Sequence, residues 1–250
     1  MSLPVYLAFT AAEFGPALPK SCAYMACHFS PYGTGLSNLP RELPEDSLLI
    51  LNDRIPAQGH DPERIAGEML ELAERFVCNG VLLDFQRESR ESRMIAERIV
   101  SSLPCPVGVT ERYAEDLDCP VFLMPPVYQP LSQTLKSWSG REIWLELGCA
   151  TQVLTVTGNG CNISPMLSYD GGEGRFYAQE LACRYTTVLK EDAAVFTMSR
   201  DRECLNELLQ QAEELGITRA VGLYQELGDF LQEKDTLYEP SGSPPPTKHA

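Results

Sequence analysis

A chain of 250 residues with 44% apolar content is long enough to bury one large core. Its formal charge of −15 offers no basic face to replace phosphate counterions or to dock on anionic lipid, so neither nucleic acid nor a membrane surface is expected as a partner. Acidity of this degree serves solubility first.

The first nine residues, Met1 to Phe9, carry no basic stretch and no long apolar run, so neither a secretion signal nor a membrane span is expected. The nine cysteines are odd in number and form no CxxC pair, which fits reduced thiols in a cytoplasm. Only three histidines are present (His28, His60 and His249), without ligand spacing, so no metal is expected.

Short apolar runs alternate with helical stretches. Val5 to Phe9 and Cys22 to Phe29 read as the first two strands, and Ser47 to Asp53 as a third, apolar enough to be buried on both faces. Asp61-Pro62-Glu63 then opens a helix with a capping residue, a first-turn proline and an early acid. Ile65, Met69, Leu72, Ala73 and Phe76 follow at helical spacing. Gly80 to Phe85 is the fourth strand, followed by a helix from about Ser92 to Leu103. Pro106 to Thr110 and Pro120 to Met124 are the fifth and sixth, with a short helix near Leu131 to Trp138, and Glu142 to Leu147 is the seventh. Arg202 to Leu215 is strongly helical and leads to the last strand, Arg219 to Tyr224.

Between the seventh and last strands the pattern changes to hairpins. Gln152 to Thr157 and Arg184 to Met198 are strand-like, with turn signals at Asn159-Gly160 and Asp170-Gly171-Gly172. Eight short strands with mostly helical crossovers make a (β/α)8 barrel the economical architecture. It is read as one domain over residues 1–233, with a hairpin-rich insertion at about 151–198. Residues 234–250, rich in Pro and Ser, are read as a disordered tail. An open doubly wound sheet is the alternative. No Gly-rich phosphate loop follows any strand, and no cofactor is expected.

The segment Asn79-Gly80-Val81-Leu82-Leu83-Asp84-Phe85-Gln86 resembles the fourth-strand signature of the family 18 glycoside hydrolases, D-G-x-D-x-D-x-E. Tyr24 to Gly33 is similar to the second strand of bacterial members that act on peptidoglycan or the spore cortex. Ala194 to Gly228 is similar to the closing part of those proteins. The resemblance covers roughly residues 4 to 230 and implies a barrel with its site at the C-terminal mouth. Alternation puts Leu82, Asp84 and Gln86 on one face, pointing into the lumen.

The departures decide the expected chemistry. Asn79 and Leu82 stand where the first two aspartates belong, and Gln86 where the family has its acid. In the family that acid protonates the glycosidic oxygen while the substrate's acetamido group attacks, and the aspartate matched by Asp84 orients that group. An amide hydrogen-bonds a sugar but has no proton to give. The sixth strand, expected to read M-x-Y-D, is Met124-Pro125-Pro126-Val127.

The resemblance therefore implies a barrel impaired in hydrolysis that binds an N-acetylglucosamine-containing glycan. Its ligand residues are expected among Asp84, Gln86, Tyr224, Trp144, Trp138 and Glu111, with Tyr224 as the sugar-site floor. Two alternatives stand beside this reading. One is an active glycosidase with a replacement acid, Glu226 or Glu88, drawn from a ring of acids that includes Asp53, Glu111 and Glu146. The other is a structural or partner-binding barrel. His28 is expected to be a satisfied core histidine.

Overall fold

The computed structural model describes residues 3–13, 18–19, 21–165 and 175–228. The elements run β1 (Val5–Phe9), β2 (Cys22–Phe29), β3 (Leu36–Ser37), β4 (Leu48–Asn52), α1 (Pro62–Arg75), β5 (Gly80–Asp84), α2 (Arg90–Ser102), β6 (Val107–Thr110), α3 (Glu111–Ala114), β7 (Val121–Leu123), α4 (Leu131–Thr134) and β8 (Ile143–Leu147). They continue with β9 (Ala150–Thr157), β10 (Gly160–Pro165), β11 (Phe176–Ala178), β12 (Cys183–Leu189), β13 (Ala193–Arg200), α5 (Arg202–Glu214) and β14 (Arg219–Leu223).

Strands β1, β2, β4, β5, β6, β7, β8 and β14 pair in parallel in chain order, and β14 returns to β1 to close the ring. This is the expected eight-stranded barrel, with irregular crossovers. Full-length helices follow β4 and β5, but α3 and α4 are single turns of four residues each. Between β2 and β4 the described chain forms the antiparallel strand β3 instead of a helix.

Each long helix starts where the side chains dictate. Asp61 accepts from the Glu63 N–H with Pro62 at the first turn, Ser89 accepts from Ser92, and Asp201 accepts from Cys204. The apolar stripes of α1 and α2, including Ile65, Met69, Ile95 and Ile99, pack against the outward faces of β4 and β5 at Leu49, Leu51, Val81 and Leu83. Each such side chain contributes about 1.5–3 kcal/mol when fully buried.

The opposite strand faces fill the lumen. Tyr6, Ala8, Ala23, Leu48, Ile50, Leu82, Phe122, Trp144 and Val221 form one buried cluster. Trp144 is fully buried, and it fits because β6 presents Gly108: a Cβ there would lie 2.5 Å from the indole. The Arg219 guanidinium sits 4.6 Å from the Trp144 ring and donates to Asn79, whose amide donates to the Tyr6 hydroxyl. Asn79 and Leu82, the two early departures from the family signature, are thus parts of the barrel floor and its packing.

Between β8 and α5 lies a separate five-stranded antiparallel sheet in the order β10-β9-β13-β12-β11. It is the hairpin-rich insertion expected from the sequence. Asn159-Gly160 turns β9 into β10, with Gly160 at a φ of +135° that only glycine adopts readily. The expected turn at Asp170-Gly172 and the tail 234–250 lie outside the described residues. The sheet's root packs Val127, Cys183 and Met198 together, with Tyr128, Leu154 and Phe196 against them. Arg200, buried beneath, donates to the carbonyls of Pro125, Leu181 and Ala182 and so ties the β7–α4 loop to the sheet.

Candidate site at the barrel mouth

The lumen changes character at its C-terminal end. One strand alternation above Leu82 lies Asp84, the last residue of β5, and one alternation above Trp144 lies Glu146. Both carboxylates point into the mouth, where barrels of this kind place their chemistry. They are close enough to act on each other. Burial first, then the charges of Asp84 and Glu226, raise the Glu146 carboxyl from its ordinary 4.5 to about 7. Asp84 is also raised. Burial is the main cause, the Asp53 charge adds to it, and a hydrogen bond from Gln86 opposes it.

Gln86 is held at three points. Its side-chain amide donates to Asp84 Oδ1 at 2.5 Å, its backbone N–H donates to Asp53 at 2.9 Å, and its carbonyl accepts from Arg112 at 2.8 Å. Asp53 also accepts from the Arg87 N–H. Asp53 was expected among a ring of available acids, and that expectation is corrected: it is buried, and both its oxygens are used to hold the loop that carries Gln86.

Glu226 reaches the site by a different route from the one expected. Strand alternation was to carry Tyr224 onto Glu226, but β14 ends at Leu223 and residues 224–228 are helical. The helical turn sets Glu226 over Gly148, and its Oε2 accepts from the Cys149 N–H at 3.0 Å. Tyr224, expected as the sugar floor, is half-buried. Its ring stacks on Phe9 at 4.4 Å between centroids and abuts Gly228.

The remaining expected residues divide. Trp144 is corrected from ligand surface to barrel packing, because it lies a layer below the mouth with no exposed surface. Glu88 is an exposed loop residue ahead of α2. Glu111 opens α3 on the rim and accepts from the Trp138 indole. Burial raises its carboxyl and that bond opposes the shift. Tyr128 belongs to the sheet root and not to the mouth. His28 is satisfied: Nδ1 lies 2.7 Å from the Phe29 carbonyl and so carries the proton, leaving Nε2 to accept from the Asn38 amide at 3.0 Å.

Asn52 was not singled out from the sequence, although register places it beside both His28 and Asp84. Its amide donates to the carbonyls of Met25 and Cys27, which β2 exposes where its register shifts. Among the described residues, no group of three or more His, Cys, Asp or Glu is placed to hold a metal ion, and no helix is long and apolar enough to cross a membrane.

The closed ring of eight parallel strands gives this chain a (β/α)8 barrel fold, and two solved structures share it. The chain is similar to the spore cortex-lytic enzyme SleL of Bacillus cereus, with a TM-score of 0.53 at 11% identity over 88% of this chain and 70% of that one. It is similar to a glycoside hydrolase family 18 N-acetylglucosaminidase of Paenibacillus barengoltzii, with a TM-score of 0.54 at 11% identity over 88% of this chain and 94% of that one. No protein-family model and no curated protein matches the sequence.

Proposed function

We propose that this chain binds an N-acetylglucosamine-containing glycan at the barrel mouth and is impaired in its hydrolysis. The observation that carries the reading is the Asp84–Gln86 pair. An aspartate faces the lumen where the resemblance expects the acetamido-orienting group, and an amide is bonded to it where the proton donor belongs. Gln86 cannot deliver a proton to a leaving oxygen. Asp84 and Gln86 together still present an acceptor and a donor to a sugar's acetamido and hydroxyl groups. The neighbouring barrels, a spore cortex-lytic enzyme and an N-acetylglucosaminidase, support the choice of glycan.

Native mass spectrometry of the protein mixed with N-acetylglucosamine oligomers and muropeptide fragments tests this. Intact sugar is expected to ride on the protein, and Asp84→Ala is expected to remove it. Absence of any sugar adduct sinks the proposal.

Glu146 favours a second reading, an active glycosidase with a relocated acid. A carboxylic acid that keeps its proton near neutral pH, facing a second carboxylate, has the endowment of a general acid. This reading moves the replacement acid from Glu226 and Glu88 to Glu146. Shortened oligomers that accumulate with the wild type and disappear with Glu146→Gln would establish it over the first.

A further inference from the structure

The insertion sheet is apolar on one face and polar on the other. Register puts Leu154, Val156, Ile163, Leu189 and Phe196 on the apolar face, with Phe176 at its edge. Rings continue across that face: Phe176 lies 5.5 Å from Tyr185, and Tyr185 lies 6.4 Å from Phe196. The opposite face carries Thr155, Thr157 and Thr197, with Val188 beside them. Such alternation is the pattern of a sheet with one face packed and one wet. The structure packs only the root of the apolar face, where Cys183 and Met198 are buried with Val127. Farther out, Leu189 is 80% exposed, Phe176 59%, Val156 39% and Ile163 37%. Large apolar side chains left open on one contiguous face mark an interaction surface.

Charge and shape select the partner. Residues 150–200 hold five acids and four bases, a net −1 out of the chain's −15. A basic partner would be drawn to the acidic barrel, and an anionic membrane would be repelled by it. Two −15 chains repel each other through their barrels, and the near-neutral insertion is where they can touch with least repulsion. Two sheets of the same twist pack face to face with interdigitating side chains, and one patch repeated on both copies closes under a two-fold axis. Five strands about 4.8 Å apart and three rows of face residues about 7 Å apart make a face of about 24 by 20 Å, so two copies cover about 1,000 Å2. That is the lower end for a specific interface, which makes the contact reversible.

We propose that the apolar face of the insertion sheet is a self-association surface, through which two copies of this chain pair sheet to sheet as a reversible dimer. The inference does not rest on the glycan reading.

Sedimentation equilibrium of the full chain, in reducing buffer and over a range of concentrations, tests it. A monomer–dimer equilibrium is expected, with a Kd on the order of 10 µM. Added salt is expected to tighten it, because salt screens the repulsion between two acidic bodies and leaves apolar contact intact. Leu189→Lys should weaken the dimer about tenfold even though it lowers the net negative charge. It should keep the wild-type melting temperature, because Leu189 is exposed. Val188→Lys makes the same charge change one residue away on the opposite face, and should leave the dimer at least as strong. A chain that is monomeric at every concentration overturns the proposal, as does a dimer that weakens with salt. A dimer that Leu189→Lys leaves intact, or that both variants weaken alike, overturns it too. So does a monomer that dimerises only once residues 166–174 are replaced by a Gly-Ser linker, because the chain would then cover its own face.

Discussion

The two ends of the barrel lumen are built from the same strands and do opposite work. On β8, Trp144 is sealed into the floor and Glu146, two residues on, faces the mouth. On β5, Leu82 and Asp84 repeat the change. The floor is apolar, and its polar edges are answered: the Trp144 indole donates to Glu142, and Arg219 and Tyr6 meet on Asn79. At the mouth, burial first and neighbouring carboxylate charges second raise the proton affinity of Glu146 and Asp84. A packed layer stabilises the fold, whereas a layer of like charges spends part of that stability on a poised site.

The comparison breaks most visibly at the floor. Trp144→Ala empties the lumen above Gly108 and is expected to cost about 3–5 kcal/mol in urea unfolding, where a mouth residue of similar exposure would not. The second largest effect has the opposite sign. Glu146 holds its proton to about pH 7 in the fold, against an ordinary 4.5. The folded state therefore binds the extra proton between those values, and stability falls as pH rises through that window. Glu146→Gln should remove this loss. A gain on the order of 3 kcal/mol is expected above pH 7 and little below pH 4.5, read as a flattened dependence of Tm on pH. Smallest is Asp53→Asn, which keeps one acceptor for the Gln86 and Arg87 amides and loses the charge. It should cost about 1–3 kcal/mol and weaken glycan binding by displacing Gln86.

Much of this was legible in the residues. Buried parallel strands are short apolar runs, and the first long helix announces its start through Asp61-Pro62, so the barrel could be read in order. Alternation also placed Asp84 toward the lumen. It failed at Tyr224 because the chain leaves the strand at Leu223, and nothing local marks whether a final strand continues or turns into helix. The pairing of Glu146 with Asp84 was not legible, because it depends on ring closure across strands that are not neighbours. Asp53 looked like an available acid because its partners, the amides of Gln86 and Arg87, lie far along the chain.

The insertion enters at Ala150 and leaves at Arg200, and those two residues are paired neighbours. Whatever lies between them closes on itself before the chain returns to the barrel. The sheet is thus a cassette with its two ends side by side: its hairpins can be lengthened, shortened or exchanged without shifting a barrel strand. Changes to its hairpins are therefore confined to the cassette, and the barrel's strand order does not depend on them.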